Sequence, residues 1–200
     1  MFVGSPHETQ LNDRDSIAVI GGGPSGSFFS YFALDFAKRY DLEITIDIYE
    51  AKNFAKLGAG GCNHCGGIIS ESLVQMLATD GIVIPSSIIR RGIETYTLHV
   101  EQGESVIDTP SNEQRIASVF RGCGPRGCLG GSERSFDNFL LGLCEKNGAN
   151  VISEKITRAR RVEDGIIIGS KSKEKKYELV VGAAGLNKKT LELFLSLIHI

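Results

Sequence analysis

Glycines at positions 21, 23 and 26 are spaced G-x-G-x-x-G, and a glutamate follows at position 50. The chemistry this set suits is the holding of a dinucleotide. The first glycine allows a tight turn, the second lets the backbone approach a pyrophosphate, and the third lets a helix pack closely on a strand. A helix starting there presents N–H groups and a positive dipole end to phosphate, and Pro24 suits its first turn, where no N–H is needed. Glu50 is placed to accept hydrogen bonds from ribose hydroxyls. A second set of reactive types is Cys62-Asn-His-Cys65, with Cys123 and Cys128 in a later glycine-rich loop. Three readings of it stand side by side: a redox-active dithiol, a thiolate metal site completed by Cys123 or Cys128, and small residues packed in a loop close to a ring system. The C-x₄-C spacing of the later pair is loose for zinc. Arg121 and Arg126 flank that loop, where they face either an anionic ligand or solvent. His64 is the one histidine inside a candidate site, and no Ser–His–acid order with a supporting motif appears.

The elements around these residues give the glycine motif its weight. Ile17–Ile20 is a short apolar run, as in a strand buried on both faces of a parallel sheet. A helix carrying Phe28, Phe32, Leu34, Phe36 and Ala37 follows, then a strand through Ile44, Ile46, Ile48 and Tyr49 that ends in Glu50. Strand, glycine turn, helix, strand and acid together make the motif strong where the glycines alone are weak. Ser70 is expected to cap a helix with Leu73, Val74, Met76 and Leu77 on its apolar face, stopped by Asp80-Gly81. From about Ile93 to Arg121 the period becomes two, with Tyr96, Leu98 and Val100 alternating with polar neighbours and a turn at Gln102-Gly103. A helix from near Ser135 presents Phe136, Phe139, Leu140, Leu143 and Cys144 to a core and stops at Asn147-Gly148. A hairpin around Glu163-Asp164-Gly165 follows. Lys171–Lys176 reads as a solvated charged turn. Tyr177–Val181 reads as one buried strand leading into Gly182-Ala-Ala-Gly185, the edge where ligands sit in open α/β sheets.

The bulk numbers bound the partners. The chain has 200 residues, 42% hydrophobic and 23% charged, with a formal net charge of −2. That balance gives no electrostatic reason to expect nucleic acid or an anionic membrane. No basic start followed by an apolar core marks a secretory signal, and no apolar run is long enough for a membrane span. Five cysteines, an odd number, point to thiols more than to a disulfide framework, and a cytoplasmic location is expected.

The opening fingerprint, the GCNHCGGIISESLV loop, RSFDNFLLGLCEKNGANV and YELVVGAAGLN together resemble FAD-dependent oxidoreductases of the geranylgeranyl reductase group, within the class that holds aromatic hydroxylases and flavin halogenases. The resemblance covers about residues 16–194. It implies an α/β, Rossmann-like FAD-binding fold with a parallel sheet and inserted antiparallel β-strands, the insertion starting at about 88–121. It implies that Gly21, Gly23, Pro24, Ser25 and Gly26 hold the FAD pyrophosphate and Glu50 the adenosine ribose. Arg134 matches a basic residue against the cofactor's phosphate or ribose. Cys65, Gly66 and Gly67 match a loop approaching the isoalloxazine, which makes Cys65 a catalytic candidate. Gly182 and Gly185 match a segment usually written GADG, in which position 184 here is alanine.

The implied reaction is reduction of C=C bonds in a prenyl or other apolar small molecule, with NAD(P)H or a ferredoxin-like protein as donor. A lipid substrate would bring the protein to a membrane surface. Rival readings are a flavin monooxygenase, an NAD-dependent dehydrogenase without flavin, and an inactive fragment. The absence of Trp counts against the halogenase branch, which carries a tryptophan-centred motif. Residues 1–15 are expected to form a flexible leader. The final LSLIHI, residues 195–200, reads as translated sequencing-library adapter, which would break the natural chain near Phe194.

Overall fold

The computed structural model describes residues 11–56, 58–61, 65–108, 116–119, 121, 135–171, 173–185 and 187–198. In chain order the first elements are β1 (Ser16–Ile20), α1 (Pro24–Arg39), β2 (Thr45–Tyr49), β3 (Ile68–Ser70) and α2 (Glu71–Thr79). Next come β4 (Ile89–Ile93), β5 (Thr95–Val100), β6 (Gly103–Asp108), β7 (Ile116–Val119) and α3 (Phe136–Lys146). The last are β8 (Asn150–Ile152), β9 (Arg158–Val162), β10 (Gly165–Gly169), β11 (Glu174–Tyr177), β12 (Leu179–Gly182) and α4 (Lys188–Ile198). The chain divides into two units, one of Met1–Ala51 with Leu140–Ile200 and one of Lys52–Phe139.

The first unit is built on a parallel sheet in the order β12-β1-β2-β8. Successive side chains of a strand point to opposite faces, and β1 obeys this with apolar residues on both. Ile17 and Val19 join Leu34 of α1, Ile46 and Ile48 of β2 and Cys144 of α3 on one face. Ala18 and Ile20 join Tyr49, Ile156, Ile168 and Tyr177 on the other. There an antiparallel meander, β11-β10-β9, and Phe194 of α4 supply the cover. The expected α/β fold, a parallel sheet accompanied by antiparallel strands, is present. Beside Leu179, α1 also turns Phe28, Phe29 and Phe32 toward an apolar hollow of about 450 Å³, and Phe36 at its rim is 53% exposed.

Two sequence expectations change in this unit. Tyr177–Val181 is not one strand. Tyr177 ends β11, antiparallel to β10, while Leu179 begins β12, parallel to β1. Glu178 is the corner between them, its carboxylate accepting from Ser16 N at 2.7 Å and Ser16 Oγ at 2.8 Å. Nor is Lys171–Lys176 simply a solvated turn. Its second half lies in β11, and Lys175 Nζ donates to Asp47 Oδ2 at 2.7 Å. Asp47 also accepts from Tyr177 OH at 2.6 Å and Asn150 Nδ2 at 2.8 Å, and the Tyr49 and Tyr177 hydroxyls meet at 2.6 Å. A charged residue this deep in a sheet is tolerated because its lone pairs are met.

The second unit holds a sheet in the order β3-β7-β4, all antiparallel, and a β5–β6 hairpin. Ser70 caps α2, its Oγ accepting from Leu73 N at 3.2 Å. Of the expected apolar face of α2 only Leu77 is buried, and Met76 is 64% exposed. The strands of the period-two stretch form, but Leu98, Val100, Val106 and Ile107 are all exposed. Alternation dictates which side a residue faces and leaves open whether anything covers that side.

Asp47 supplies a stability test. Burial raises its pKa, but hydrogen bonds from Lys175, Tyr177 and Asn150 and the Lys175 charge outweigh this and hold it below the ordinary 3.8. A depressed folded value means the unfolded chain binds more protons, so this contribution is present above about pH 4 and is lost as pH falls through the folded value. Asp47→Ala strands three donors. With Lys175 half-exposed and its ion pair screened, the expected cost is about 2–3 kcal/mol at pH 7 in urea unfolding followed by circular dichroism. The gap between wild type and variant should narrow as the pH is lowered below 4.

Candidate functional site

The glycine turn sits at the C-terminal ends of β1, β2 and β12. Gly21 takes φ +113, and a Cβ there would lie 2.4 Å from the carbonyl oxygen of Ala183. Only glycine combines that backbone with that approach. A Cβ on Gly26 would lie 1.8 Å from the Gly21 carbonyl oxygen, so the first turn of α1 is pressed onto the loop that precedes it. Backbone bonds lock the arrangement, Gly21 N to Tyr49 O and Ala183 N to Ile20 O, both at 2.9 Å. Ser27, which sequence reasoning passed over, adds a buried clasp, Oγ donating to Gly22 O at 3.0 Å. The signal was a small hydroxyl directly after the third glycine.

The N-terminus of α1 is bare. Gly23 is its N-cap, no side chain caps it, Pro24 opens it and no acidic residue lies in its first turn. A helix of 16 residues with an uncapped start offers unsatisfied N–H groups and a partial positive charge. Glu50 closes the other side, Oε2 accepting from Gly22 N at 2.8 Å. That bond fixes the carboxylate at the edge of the turn. A bare helix start, a turn no side chain fits and an oriented carboxylate suit the pyrophosphate and ribose of a dinucleotide.

The structure brings Gly21, Gly23, Pro24, Ser25, Gly26 and Glu50 together with the end of β12. Gly182 there has a packing role, because a Cβ would lie 2.8 Å from the Phe194 ring. Gly185 has φ +59 and open space around it. Cys144 is core, as expected. Its thiol donates to Ser27 O at 3.1 Å, and burial pushes its pKa up to about 11.

Cys65, Gly66 and Gly67 lie in the second unit. Gly67 takes φ +62, and a Cβ there would meet the Val119 carbonyl oxygen at 2.4 Å. Arg121 is largely buried, its side chain 12% exposed. Its Nε donates to Asp137 Oδ2 at 2.5 Å, its Nη2 to Asp137 Oδ1, and its Nη1 to Cys65 Sγ at 2.7 Å. Burial lowers the Arg121 pKa, yet the Asp137 hydrogen bond and the charges of Asp137 and Cys65 raise it further than burial lowers it. Asp137 belongs to the Arg134-Ser-Phe-Asp helix entry read from the sequence, but its pairing with Arg121 was not foreseen. Cys62, His64, Cys123, Arg126, Cys128 and Arg134 lie outside the described residues. Among the described residues, no group of His, Cys, Asp or Glu is placed to hold a metal, and no helix is long and apolar enough to cross a membrane.

No family model matches the chain, and no curated protein matches it in sequence. Solved structures do match in fold. The halogenase PltM aligns over 91% of this chain and 36% of its own, at 16% identity and a TM-score of 0.59. The flavin-dependent brominase Bmp2 aligns over 87% and 39%, at 14% and 0.58. The peptidyl tryptophan dihydroxylase QhpG, essential for tryptophylquinone cofactor biogenesis, aligns over 87% and 33%, at 13% and 0.51. PltM has also been crystallised with phloroglucinol and FAD. None of the three is a geranylgeranyl reductase, and what is shared is the fold of flavin-dependent enzymes. The chain spans 33% to 39% of the length of these structures.

The turn can be tested without ligand. Gly26→Ala, with no space for its methyl, should unfold the first unit or lower its urea midpoint sharply. Gly142→Ala, on α3 with nothing within 4 Å, should be neutral or stabilise by about 0.5–1 kcal/mol. Equal effects of the two would show that the turn is not under this constraint.

Proposed function

We propose that this chain carries the FAD-binding part of a flavin-dependent oxidoreductase. The observation that carries the reading is the bare N-terminus of α1 behind the glycine turn, with Glu50 held against the Gly22 amide. The turn and helix start would take the pyrophosphate, and Glu50, its orientation set by Gly22, would take the adenosine ribose. Gly185 would border the cofactor at the end of β12, while Cys65, Gly66, Gly67 and Arg134 are assigned to it by resemblance alone. Bound FAD supplies the two-electron chemistry, and the protein's own part is to bind, orient and exclude water.

For the whole protein, the substrate is a small apolar molecule, with reduction of a prenyl C=C bond as the first reading and NAD(P)H or a ferredoxin-like protein as the electron source. Its support is the Cys65-Gly66-Gly67 segment and the Ser135-Phe136-Asp137 helix entry. A second reading, oxygen-dependent hydroxylation or halogenation, draws support from the halogenase, brominase and dihydroxylase among the structures of like fold. Product mass separates the two. A gain of two hydrogens under anaerobic conditions marks reduction, and an oxygen-dependent gain of oxygen or halogen marks the other.

The binding claim is tested first. Titration of the chain into FAD should quench flavin fluorescence, and Glu50→Ala should weaken binding roughly tenfold to a hundredfold, the worth of a hydrogen bond to a charged group. Binding of NAD with no response to FAD would overturn the reading in favour of a nicotinamide-only enzyme.

A further inference from the structure

A second pocket, of about 390 Å³, lies where β2 and β8 face the meander, and its lining includes neither the glycine turn nor Glu50. That volume is in the range of small-molecule sites, which join an apolar interior to a few convergent polar groups. Here the interior is Ile156 and Ile168, both buried, with Ile152 and the Tyr49 ring beside them. The mouth is charged, and its charges are not equally spent. All three carboxylates are engaged. Asp47 accepts from Lys175, Tyr177 and Asn150, Glu174 lies 3.6 Å from Arg158 and 4.0 Å from Arg160, and Glu154 has a partner of its own. The two ammonium groups are not spent. Lys175 is 51% exposed and gives one N–H to Asp47, while an ammonium carries three donors. The Lys173 ammonium has no partner among the described residues. Its backbone is nonetheless fixed: Lys173 N donates to Ser170 Oγ at 3.3 Å, and Ser170 N donates to Lys173 O at 2.9 Å. Arg158 Nη2 holds the same turn through Ser170 O at 3.0 Å.

We propose that this pocket binds a small amphipathic anion, its charged head on Lys173 and Lys175 and its apolar body against Ile152, Ile156 and Ile168. A cationic guest would find every carboxylate already engaged, and a neutral one would leave the spare N–H groups to water. An anion meets those donors, and its apolar body covers the isoleucines. Asp47 is a positioning residue here, because its bond to Lys175 holds that ammonium at the pocket. Lysine is a compact point charge without the planar fork of arginine, so it takes a carboxylate, phosphate or sulfate head alike. What selects the guest is one negative charge on an apolar body. All the lining lies in the first unit, and the site stands whether or not flavin binds.

The test is calorimetric titration of the intact chain with sodium octanoate, compared with octan-1-ol and with inorganic phosphate. Octanoate should bind saturably and more tightly than either comparator. Lys173→Gln should weaken octanoate roughly tenfold, the worth of a hydrogen bond to a charged group, at unchanged melting temperature. Lys171→Gln, the same change of charge two residues away and outside the lining, should leave octanoate binding as in the wild type. Octan-1-ol can also enter the phenylalanine-lined hollow beside α1, but its binding should be indifferent to Lys173. Absence of saturable octanoate binding overturns the proposal, and so does equal weakening by the two lysine variants. Octan-1-ol binding as tightly as octanoate overturns the anionic head, and phosphate binding as tightly overturns the apolar body. Should Lys173→Gln lower the melting temperature, the three wild-type titrations decide alone.

Discussion

The first unit depends on a contact that excludes a side chain: Gly26 against the carbonyl of Gly21. Because that distance leaves no room even for a methyl, α1 starts directly on the end of β1, and its axis is set by the sheet. Everything nearby inherits the position. The bare helix start faces the space beyond the strand ends, Ser27 locks the turn from inside, and Glu50 reaches the Gly22 amide from β2. A single steric constraint thus arranges donors, dipole and carboxylate together. It explains why so short a motif carries so much of the site, whereas side-chain contacts alone would have to be specified one by one.

Much of this was legible because it is local. Each strand, turn and cap around residues 16–50 is written in consecutive residues, and burial on both faces shows as an unbroken apolar run in β1. The unread parts were those set by distant pairings. Lys175 and Asp47 lie 128 positions apart, and nothing near either residue announces the other. Glu178 looked like one polar residue within a strand because the change of sheet it marks depends on Ser16. Arg121 and Asp137 are closer, 16 positions apart, but their pairing has no period to reveal it. The β5–β6 hairpin is a different case, since its alternation was legible while the exposure of Leu98, Val100, Val106 and Ile107 was not.

Asp47 and Asp137, both buried, show two solutions to one problem. Asp47 sits in a parallel sheet and is satisfied by donors from β8 and β11 on the same side, with an ammonium that keeps half its surface in water. Asp137 sits in the first turn of a helix, where the dipole already favours negative charge, and takes a planar guanidinium on both oxygens. The first arrangement fastens a meander to a sheet. The second leaves one arginine nitrogen, Nη1, which donates to Cys65.

The phenylalanine-lined hollow beside α1 has a consequence for how the protein's unfolding can be followed. Apolar dyes that fluoresce in hydrophobic surroundings have a place to bind on the folded chain, so their signal starts high and heating need not raise it. The chain contains no tryptophan, which removes the usual intrinsic alternative. Tyr49 and Tyr177, hydrogen-bonded to each other across the sheet and the meander, are then the natural spectroscopic reporters, because their near-ultraviolet signal depends on the same packing that unfolding destroys.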